Sequence, residues 1–427
     1  MDSDLYQKYR DSTGISTDTR TISEKNIFFA LKGENFDGNQ YALKALDNGA
    51  SFVVIDDPGR ATDDRYILVD NALITLQNLA HYHRQQLDIP IIGITGSNGK
   101  TTTKELIYAV LSTKYRIIAT SGNLNNHIGV PLTILSIDNN VEIGIVEIGA
   151  NHIGEISDLC AIANPTHGLI TNIGKAHTEG FGGFDGVIRA KSELYHFLIQ
   201  HNGVVFVNSN QPILSNMANN RIKEPIYYPN KGDFLECKFL KADPYVSYQA
   251  ENKEIIQTGL IGEYNFENIV TALCVGKYFN ISEDEANLAV SEFHPDNNRS
   301  QVMDIGSNTV ILDAYNANPS SMQAALTSFE EMKGKRKVAI LGDMFELGDT
   351  SDEEHTHLGC LTKTESIDEV IFCGEKMFFA HKSNPGSHYF PDKVSLEKYL
   401  KDSFLEDSLI LIKGSRGMGL ESILKFL

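Results

Sequence analysis

The chain has 427 residues, 41% hydrophobic and 22% charged, the composition of a folded protein too long for one core, so two to four domains are expected. Its 37 basic and 56 acidic residues leave a net charge of −19, a surface that repels DNA, RNA and anionic membranes over long range. A phosphate ligand would need a local cradle of backbone N–H groups, a few cations or Mg²⁺ to overcome that field.

No run approaches the ~18 apolar residues that cross a bilayer. The five cysteines, Cys160, Cys237, Cys274, Cys360 and Cys373, are odd in number and form no CxxC pair, which fits reduced thiols rather than a disulfide framework. The start, Met1-Asp2-Ser3-Asp4, lacks an apolar signal segment. Cytoplasmic residence is expected, with no membrane or nucleic-acid partner.

In chain order, short apolar runs alternate with helical patterns in three blocks. The first, residues 1–86, holds strand-like Ile27–Leu31 and Phe52–Ile55, a helix over Gln40–Asn48 and another over Leu73–Leu87. The second, 87–295, opens with the buried strand Ile91–Ile94. A helix follows with Leu106, Ile107, Val110 and Leu111 on one face; further strands are Gly144–Ile148, Leu169–Asn172 and Val204–Asn208. Strands alternating with helices imply a parallel sheet covered on both faces. From Ile213 to Gln257 the pattern is irregular and suggests small antiparallel strands, before a helix over Asn265–Tyr278. The third block, 296–427, reads as a doubly wound α/β unit with strands Thr309–Asp313, Lys337–Leu341, Glu369–Cys373 and Leu409–Ile412. One of its helices starts at Asn318-Pro319, an N-cap followed by proline. Another starts at Ser351, with Glu354 placed to complete a capping box.

The strongest chemical signal is Gly93-Ile-Thr-Gly96-Ser97-Asn98-Gly99-Lys100-Thr101-Thr102, set between an apolar strand and an amphipathic helix. Glycines let the backbone wrap a phosphate, and the helix N-terminus adds positive potential. Lys100 can reach β- and γ-phosphates, and the Thr101 hydroxyl can hold Mg²⁺. Glu147 ends the run Ile143–Glu147, where a carboxylate beside a phosphate loop suits Mg²⁺. His177, in Thr171–His177, is a further candidate for that crevice, though a lone loop histidine is more often structural. Lys191 lies on a helical pattern and, from the residues alone, reads as an exposed lysine. His81-x-His83 and Glu353-Glu354-His355-x-His357 resemble metal clusters, but neither has a third ligand in sequence, and the polar face or first turn of a helix explains them better. No G-x-S-x-G elbow or Cys/His nucleophile motif is present.

These motifs, with several others in order, resemble the Mur ligase family along nearly the whole chain. The blocks are Ser16–Arg20, Phe29–Gly38, the phosphate loop, Gly122–Thr133, Glu147–Glu155, Asn172–His177, Ala190–Glu193, Gly262–Asn268, Asp313–Pro319, Leu341–Gly348 and Lys413–Arg416. Asp313–Pro319 followed by Ser321-Met322 is similar to the branch that adds D-alanyl-D-alanine. The resemblance implies three domains: a small N-terminal α/β domain, a central P-loop ATPase domain with a parallel sheet, and a C-terminal Rossmann-like domain.

It also implies roles. Thr17, Asp18, Arg20, Lys32, Asp37 and Gly38 would bind the UDP end of the substrate. Lys100 and Thr101 would take phosphates and metal, Glu147 and His177 would be magnesium ligands, and Lys191 would be carbamylated into a metal bridge. Asn268 matches an adenine-contacting asparagine, while Arg299 and Asp313 would reach the nucleotide from the third domain. Asn125 and Asn126 match the block near the incoming peptide, and Tyr315, Asn316 and Asn318 the D-alanyl-D-alanine side. Tyr264, Asn298 and Ala314 stand where relatives often carry His, Gly and Ser.

The expected reaction joins UDP-N-acetylmuramoyl-tripeptide to D-alanyl-D-alanine through an acyl-phosphate, using ATP and Mg²⁺ in a monomer. The rivals are a related ligase of another amine, such as a folylpolyglutamate-synthase-like enzyme, a P-loop kinase, and a nucleotide-binding regulator without chemistry.

Overall fold

A computed structural model describes residues 3–219, 221–295, 298–403 and 405–427. Three sheets, two parallel and the third parallel but for one edge strand, follow one another along the chain, each with helices against it.

The first is four-stranded and parallel, in the order Ile15–Ser16, Ile27–Phe29, Phe52–Ile55, Tyr66–Leu68. The apolar runs Ile27–Phe29 and Val53–Ile55 are buried on both faces, as strands between two helical layers must be. The helix Ala42–Asp47 covers one face and Ala72–Gln85 the other. Ala72–Gln85 also welds this unit to the next. Buried His83 places Nε2 2.8 Å from the Ile137 carbonyl, and Arg84 Nε donates to the Ala163 carbonyl at 3.0 Å. Backbone bonding thus accounts for His83 without a metal.

The central sheet has six parallel strands in the order Ile226–Tyr228, Val204–Asn208, His167–Ile170, Ile91–Thr95, Ile143–Glu147, Ile117–Ala119. The helices Lys100–Leu111, Tyr264–Tyr278 and Glu283–Glu292 pack on one face. Gly129–Leu135, Glu155–Ala163 and Phe184–Gln200 pack on the other. Lys238–Ala242, Tyr245–Gln249 and Ile255–Ile261 form the expected antiparallel strands. Within the same irregular stretch, however, Pro212–Ala218 is helical and Ile226–Tyr228 joins the parallel sheet. Pro225 and Pro229 bracket this three-residue strand, which an edge position tolerates and an apolar-run pattern hides.

The third sheet runs Gln301–Ile305, Asn308–Asp313, Ser408–Lys413, Arg336–Gly342, Glu369–Cys373, His388–Phe390; only the first pair is antiparallel. The helix Pro319–Glu331 is capped as expected, Asn318 Oδ1 accepting from Ser321 N at 2.9 Å. The capping box at Ser351 is not formed. Thr350 is the N-cap, without a side-chain bond, and Glu354 instead takes Lys175 Nζ of the central unit at 2.6 Å. A charge-assisted contact between domains has displaced a local one. Buried His355 is held by Met344 N–H at 3.1 Å and the Ser351 carbonyl at 2.6 Å.

Candidate active site at the domain junction

The strand Ile91–Thr95 breaks at Gly96 because only glycine fits there. Its φ is +146°, and a Cβ would sit 1.9 Å from Thr171 Oγ1. Gly99, at φ +75°, caps the helix Lys100–Leu111, and a Cβ there would meet Asn268 Oδ1 at 2.5 Å. The turn between them is pinned from the neighbouring strand's exit. Asn98 N–H donates to Asn172 Oδ1 at 3.0 Å, Thr171 Oγ1 donates to the Asn98 carbonyl at 2.6 Å, and Ser97 Oγ exchanges bonds with Gly174 at 2.9 and 3.0 Å. The result is a preformed phosphate cradle on a helix N-terminus. Lys100 Nζ folds back onto the Gly96 carbonyl at 2.7 Å. Burial lowers its pKa, the Glu147 carboxylate opposes that, and Arg299 reinforces it.

Thr101 Oγ1 donates to Glu147 Oε2 at 2.9 Å, and Asn125 Nδ2 donates to Oε1 at 2.8 Å. Glu147 is 1% exposed, its carboxylate held between the loop and Asn125 at the wall of the cleft. Asn126 caps the following turn, accepting from Gly129 N at 3.0 Å. His177, at φ +52°, places Nδ1 in ion-pair contact with Glu346 of the third unit. Lys191 overturns the exposed reading: it is 1% exposed, its amine 5.2 Å from the Phe181 ring centre. Burial first, and then the Lys100 charge, push its pKa down to about 7.

The third unit closes the other side. Arg299 stacks its guanidinium 3.4 Å above the Tyr315 ring centre, and Arg416 lies 4.8 Å from the same centre. Asp313 pairs with buried Lys413 and accepts from Ser300 N at 3.2 Å. Lys413 Nζ also donates to the Asn316 carbonyl at 3.3 Å, and Asn318 Nδ2 reaches Asn98 Oδ1 of the phosphate loop at 2.7 Å. Asn268, on Tyr264–Tyr278, accepts from Thr103 Oγ1 at 3.0 Å behind Gly99. A single cleft of about 1310 Å³ is lined by Ser97–Thr102, Asn125, Asn126, Glu147, His177, Asn268, Arg299, Asp313, Tyr315, Asn316 and Asn318.

The first-unit residues lie elsewhere, beyond the carboxyl ends of their own parallel strands. Arg20 pairs with Asp18, and Lys32 with Asp56 at 2.7 Å. Asp37 accepts from Asn39 N at 3.0 Å, and a Cβ on Gly38 would meet the Leu31 carbonyl at 2.5 Å. Thr17 is half-buried beside Asp18. What this unit gives the cleft is Gln77, Asn78 and His81 from Ala72–Gln85, which sequence reasoning missed because a cleft-facing polar stripe looks like a solvated one. Lys413, Arg416 and Glu346 also received no role, although each lies at or just beyond a strand's carboxyl end in the third unit, where α/β sites form.

Among the described residues, no three His, Cys, Asp or Glu side chains gather into a ready-made metal cage. The Thr101 hydroxyl and Glu147 carboxylate supply hard oxygens beside the cradle, a donor set that suits Mg²⁺ shared with phosphate oxygens.

Three family models cover the chain: "Mur ligase family, catalytic domain" over residues 11–93, "Mur ligase middle domain" over 94–276 and "Mur ligase, glutamate ligase domain" over 298–416. The UDP-N-acetylmuramoyl-tripeptide–D-alanyl-D-alanine ligase of Bacillus subtilis (strain 168) is 36% identical over 96% of this chain and 92% of its own. The Escherichia coli (strain K12) protein of that name is 31% identical over 97% and 93%. Crystal structure I of MurF from Acinetobacter baumannii superposes with a TM-score of 0.87 at 27% identity, covering 98% of this chain and 97% of that one. MurF ligase from Thermotoga maritima, in complex with ADP, gives 0.84 at 26% identity over 97% and 96%.

Proposed function

The chain belongs to the Mur ligase family, and from that premise we propose that it is an ATP-dependent ligase adding D-alanyl-D-alanine to UDP-N-acetylmuramoyl-tripeptide through an acyl-phosphate, in peptidoglycan precursor synthesis. The observation that carries this reading is the one cleft shared by the phosphate cradle, Glu147, His177 and the third unit's Arg299, Asp313 and Asn318.

The backbone N–H groups of residues 96–102 hold the ATP phosphates, and Lys100 swings from the Gly96 carbonyl onto the β- and γ-phosphates. Asn268 meets the adenine, and Arg299 and Asp313 hold the nucleotide from across the cleft. Thr101, Glu147, His177 and Lys191 would hold Mg²⁺, which when bound neutralises phosphate charge so that one anion can approach another. A Lys191 amine with a pKa of about 7 is substantially neutral near neutral pH, so it can add to CO₂, lose a proton and become the carboxylate-like carbamate.

The tripeptide carboxylate, steered by Asn125 and Asn126, takes the γ-phosphoryl group, and ADP leaves as the bond from the γ-phosphorus to the bridging oxygen breaks. The free amine of D-alanyl-D-alanine, held near Tyr315, Asn316 and Asn318, then attacks the acyl carbon, and phosphate leaves as the amide forms. The Asn318–Asn98 contact keeps the third unit over the loop and helps exclude water from the acyl-phosphate. Thr17, Asp18, Arg20, Lys32, Asp37 and Gly38 hold the UDP end. Residues 1–86, 87–295 and 296–427 are taken as the three domains. The enzyme works as a cytoplasmic monomer, since one chain supplies both walls of the cleft; among the described residues no helix is long and apolar enough to cross a membrane.

The test is coupled ADP release with UDP-N-acetylmuramoyl-tripeptide, with and without D-alanyl-D-alanine. A ligase releases ADP and phosphate only with both substrates, and single amino acids should not replace the dipeptide. A stable phosphorylated product formed without the amine would establish a kinase. ATP binding without amine-dependent release would leave only a regulator.

A further inference from the structure

The motif Leu341–Gly348 contains two acidic residues that the proposed mechanism does not use: Asp343, buried and accepting from Met377 N–H at 2.9 Å, and Glu346. The loop after the strand Arg336–Gly342 is fixed at several points. Met344 and Leu347 are buried, Met344 N–H donates to His355 at 3.1 Å, and Phe345 N–H donates to Ser415 Oγ at 2.9 Å. Between those anchors Glu346 stands at φ +63°, a left-handed conformation uncommon for a residue with a side chain. It faces His177, itself left-handed at φ +52°, and its carboxylate lies against His177 Nδ1. That nitrogen is enclosed and makes no hydrogen bond of ordinary geometry among the described residues, the Glu346 carboxylate being its ion-pair contact. Nε2 is therefore the ring nitrogen left to serve the cleft. The segment around His177 is docked on the third unit at three further points: Lys175 N–H to Ser320 Oγ at 2.9 Å, Lys175 Nζ to Glu354 at 2.6 Å, and the Glu179 side chain against Gly348. A Cβ on Gly348 would come within 3.1 Å of Glu179, so glycine keeps this approach close.

We infer that Glu346 is a positioning residue supplied by the third domain: its carboxylate on Nδ1 orients the His177 ring and presents Nε2 to the metal in the cleft. Carboxylates behind metal-binding imidazoles fix ring orientation and tautomer in this way. Here the carboxylate and the imidazole belong to different domains, so the metal site is complete only when the third domain is docked. Phosphoryl transfer then waits for the closed state that also shields the acyl-phosphate from water. The inference rests on the ligase reading and on His177 as a metal ligand.

The test uses the whole enzyme with Glu346 replaced by Ala or by Gln, which keeps an acceptor oxygen for Nδ1–H. One readout is Mn²⁺ binding in the presence of ADP, followed by electron paramagnetic resonance; the other is the steady-state split between kcat and the KM for ATP. In Glu346→Ala, Mn²⁺ affinity and kcat should each fall about 10–100-fold while the ATP KM stays within about 2-fold, and Glu346→Gln should recover to within about 5-fold of wild type. Unchanged Mn²⁺ affinity in the Ala variant, or a Gln variant as defective as Ala, overturns the inference. A wild-type enzyme that binds Mn²⁺·ADP but never joins the peptide to the dipeptide defeats the ligase reading instead, so the two failures are distinguishable.

Discussion

The two ends of the central sheet bury titratable bases for opposite reasons. At the carboxyl end, Lys191 is enclosed close enough to Lys100 for the charges to repel, and the loop before Lys100 needs glycines at φ +146° and +75°. Burial there disfavours the charged amine and raises the energy of the native state. At the amino end, His167 is packed among Phe206, Tyr278 and Phe279, with ring centres 5.1 to 6.4 Å away. Its Nδ1 meets Thr166 Oγ1 at 2.8 Å, and burial pushes its pKa down to about 4. A shifted pKa alone therefore does not mark a site; like charges gathered with a positive-φ loop at a cleft do.

If the contrast is right, substitutions at the carboxyl end should remove activity and spare stability, and those at the amino end should do the reverse. Lys100→Ala gives the largest effect: amine-dependent ADP release falls about 10³-fold. The thermal midpoint should hold or rise, because the repulsion on Lys191 is relieved. Turnover and calorimetry on one preparation check both, and a variant that keeps turnover sinks the assignment of Lys100. Phe206→Ala is the opposite case. Phe206 is fully buried, so unfolding in urea should show a loss of about 3–5 kcal/mol. Turnover per folded molecule should be unchanged; reduced turnover would mean that the two ends are coupled.

Gly96→Ala is where the contrast should blur, because there the backbone itself makes the site. The added methyl would stand 1.9 Å from Thr171 Oγ1 at a φ of +146°. Strain of about 1–3 kcal/mol should appear as a lowered thermal midpoint, together with weakened ATP binding in a nucleotide titration. An intact midpoint with lost binding would mean that the loop relaxes freely and is less preformed than its hydrogen bonds imply.

The phosphate loop was legible in sequence because strand, glycines, lysine, threonine and helix are contiguous, and the Asn318-Pro319 cap because a cap is local. Lys191 was misread from its polar neighbours Arg189, Ser192 and Glu193. The better signal was its spacing, since Val187, Lys191, Leu194 and Leu198 share the buried stripe of Phe184–Gln200. The Ser351 box failed because Glu354 is claimed by Lys175 from another domain, which no local pattern contains. The strands Ile117–Ala119 and His388–Phe390 were missed because three residues, none of them buried, carry no periodicity. The residue pattern already set Glu147 and His177 in the crevice of Lys100, whereas the arrival of Asn318 there depends on long-range packing that only the family resemblance anticipated.

The smallest effect tests the amino end by pH. His167 titrates near 4 in the folded protein against 6.5 for an unburied ring, so between those values the unfolded chain binds the extra proton. The stabilisation is therefore fully present above pH 6.5 and is lost as pH falls towards 4. Its full size is about 3 kcal/mol from the shift, and the ring's partial exposure reduces that to about 2 kcal/mol. The lowered carboxylates Asp18 and Asp56 act in the same direction but below their ordinary value of 3.8, outside this window. His167→Phe keeps an aromatic ring among Phe206, Tyr278 and Phe279 and cannot take a proton. Urea unfolding between pH 7 and 4 should thus fall more steeply for the wild type than for the variant, with the two turning over alike at neutral pH. Parallel stability curves would mean that the ring already reaches water, and the amino end would then be no drier than the cleft it is set against.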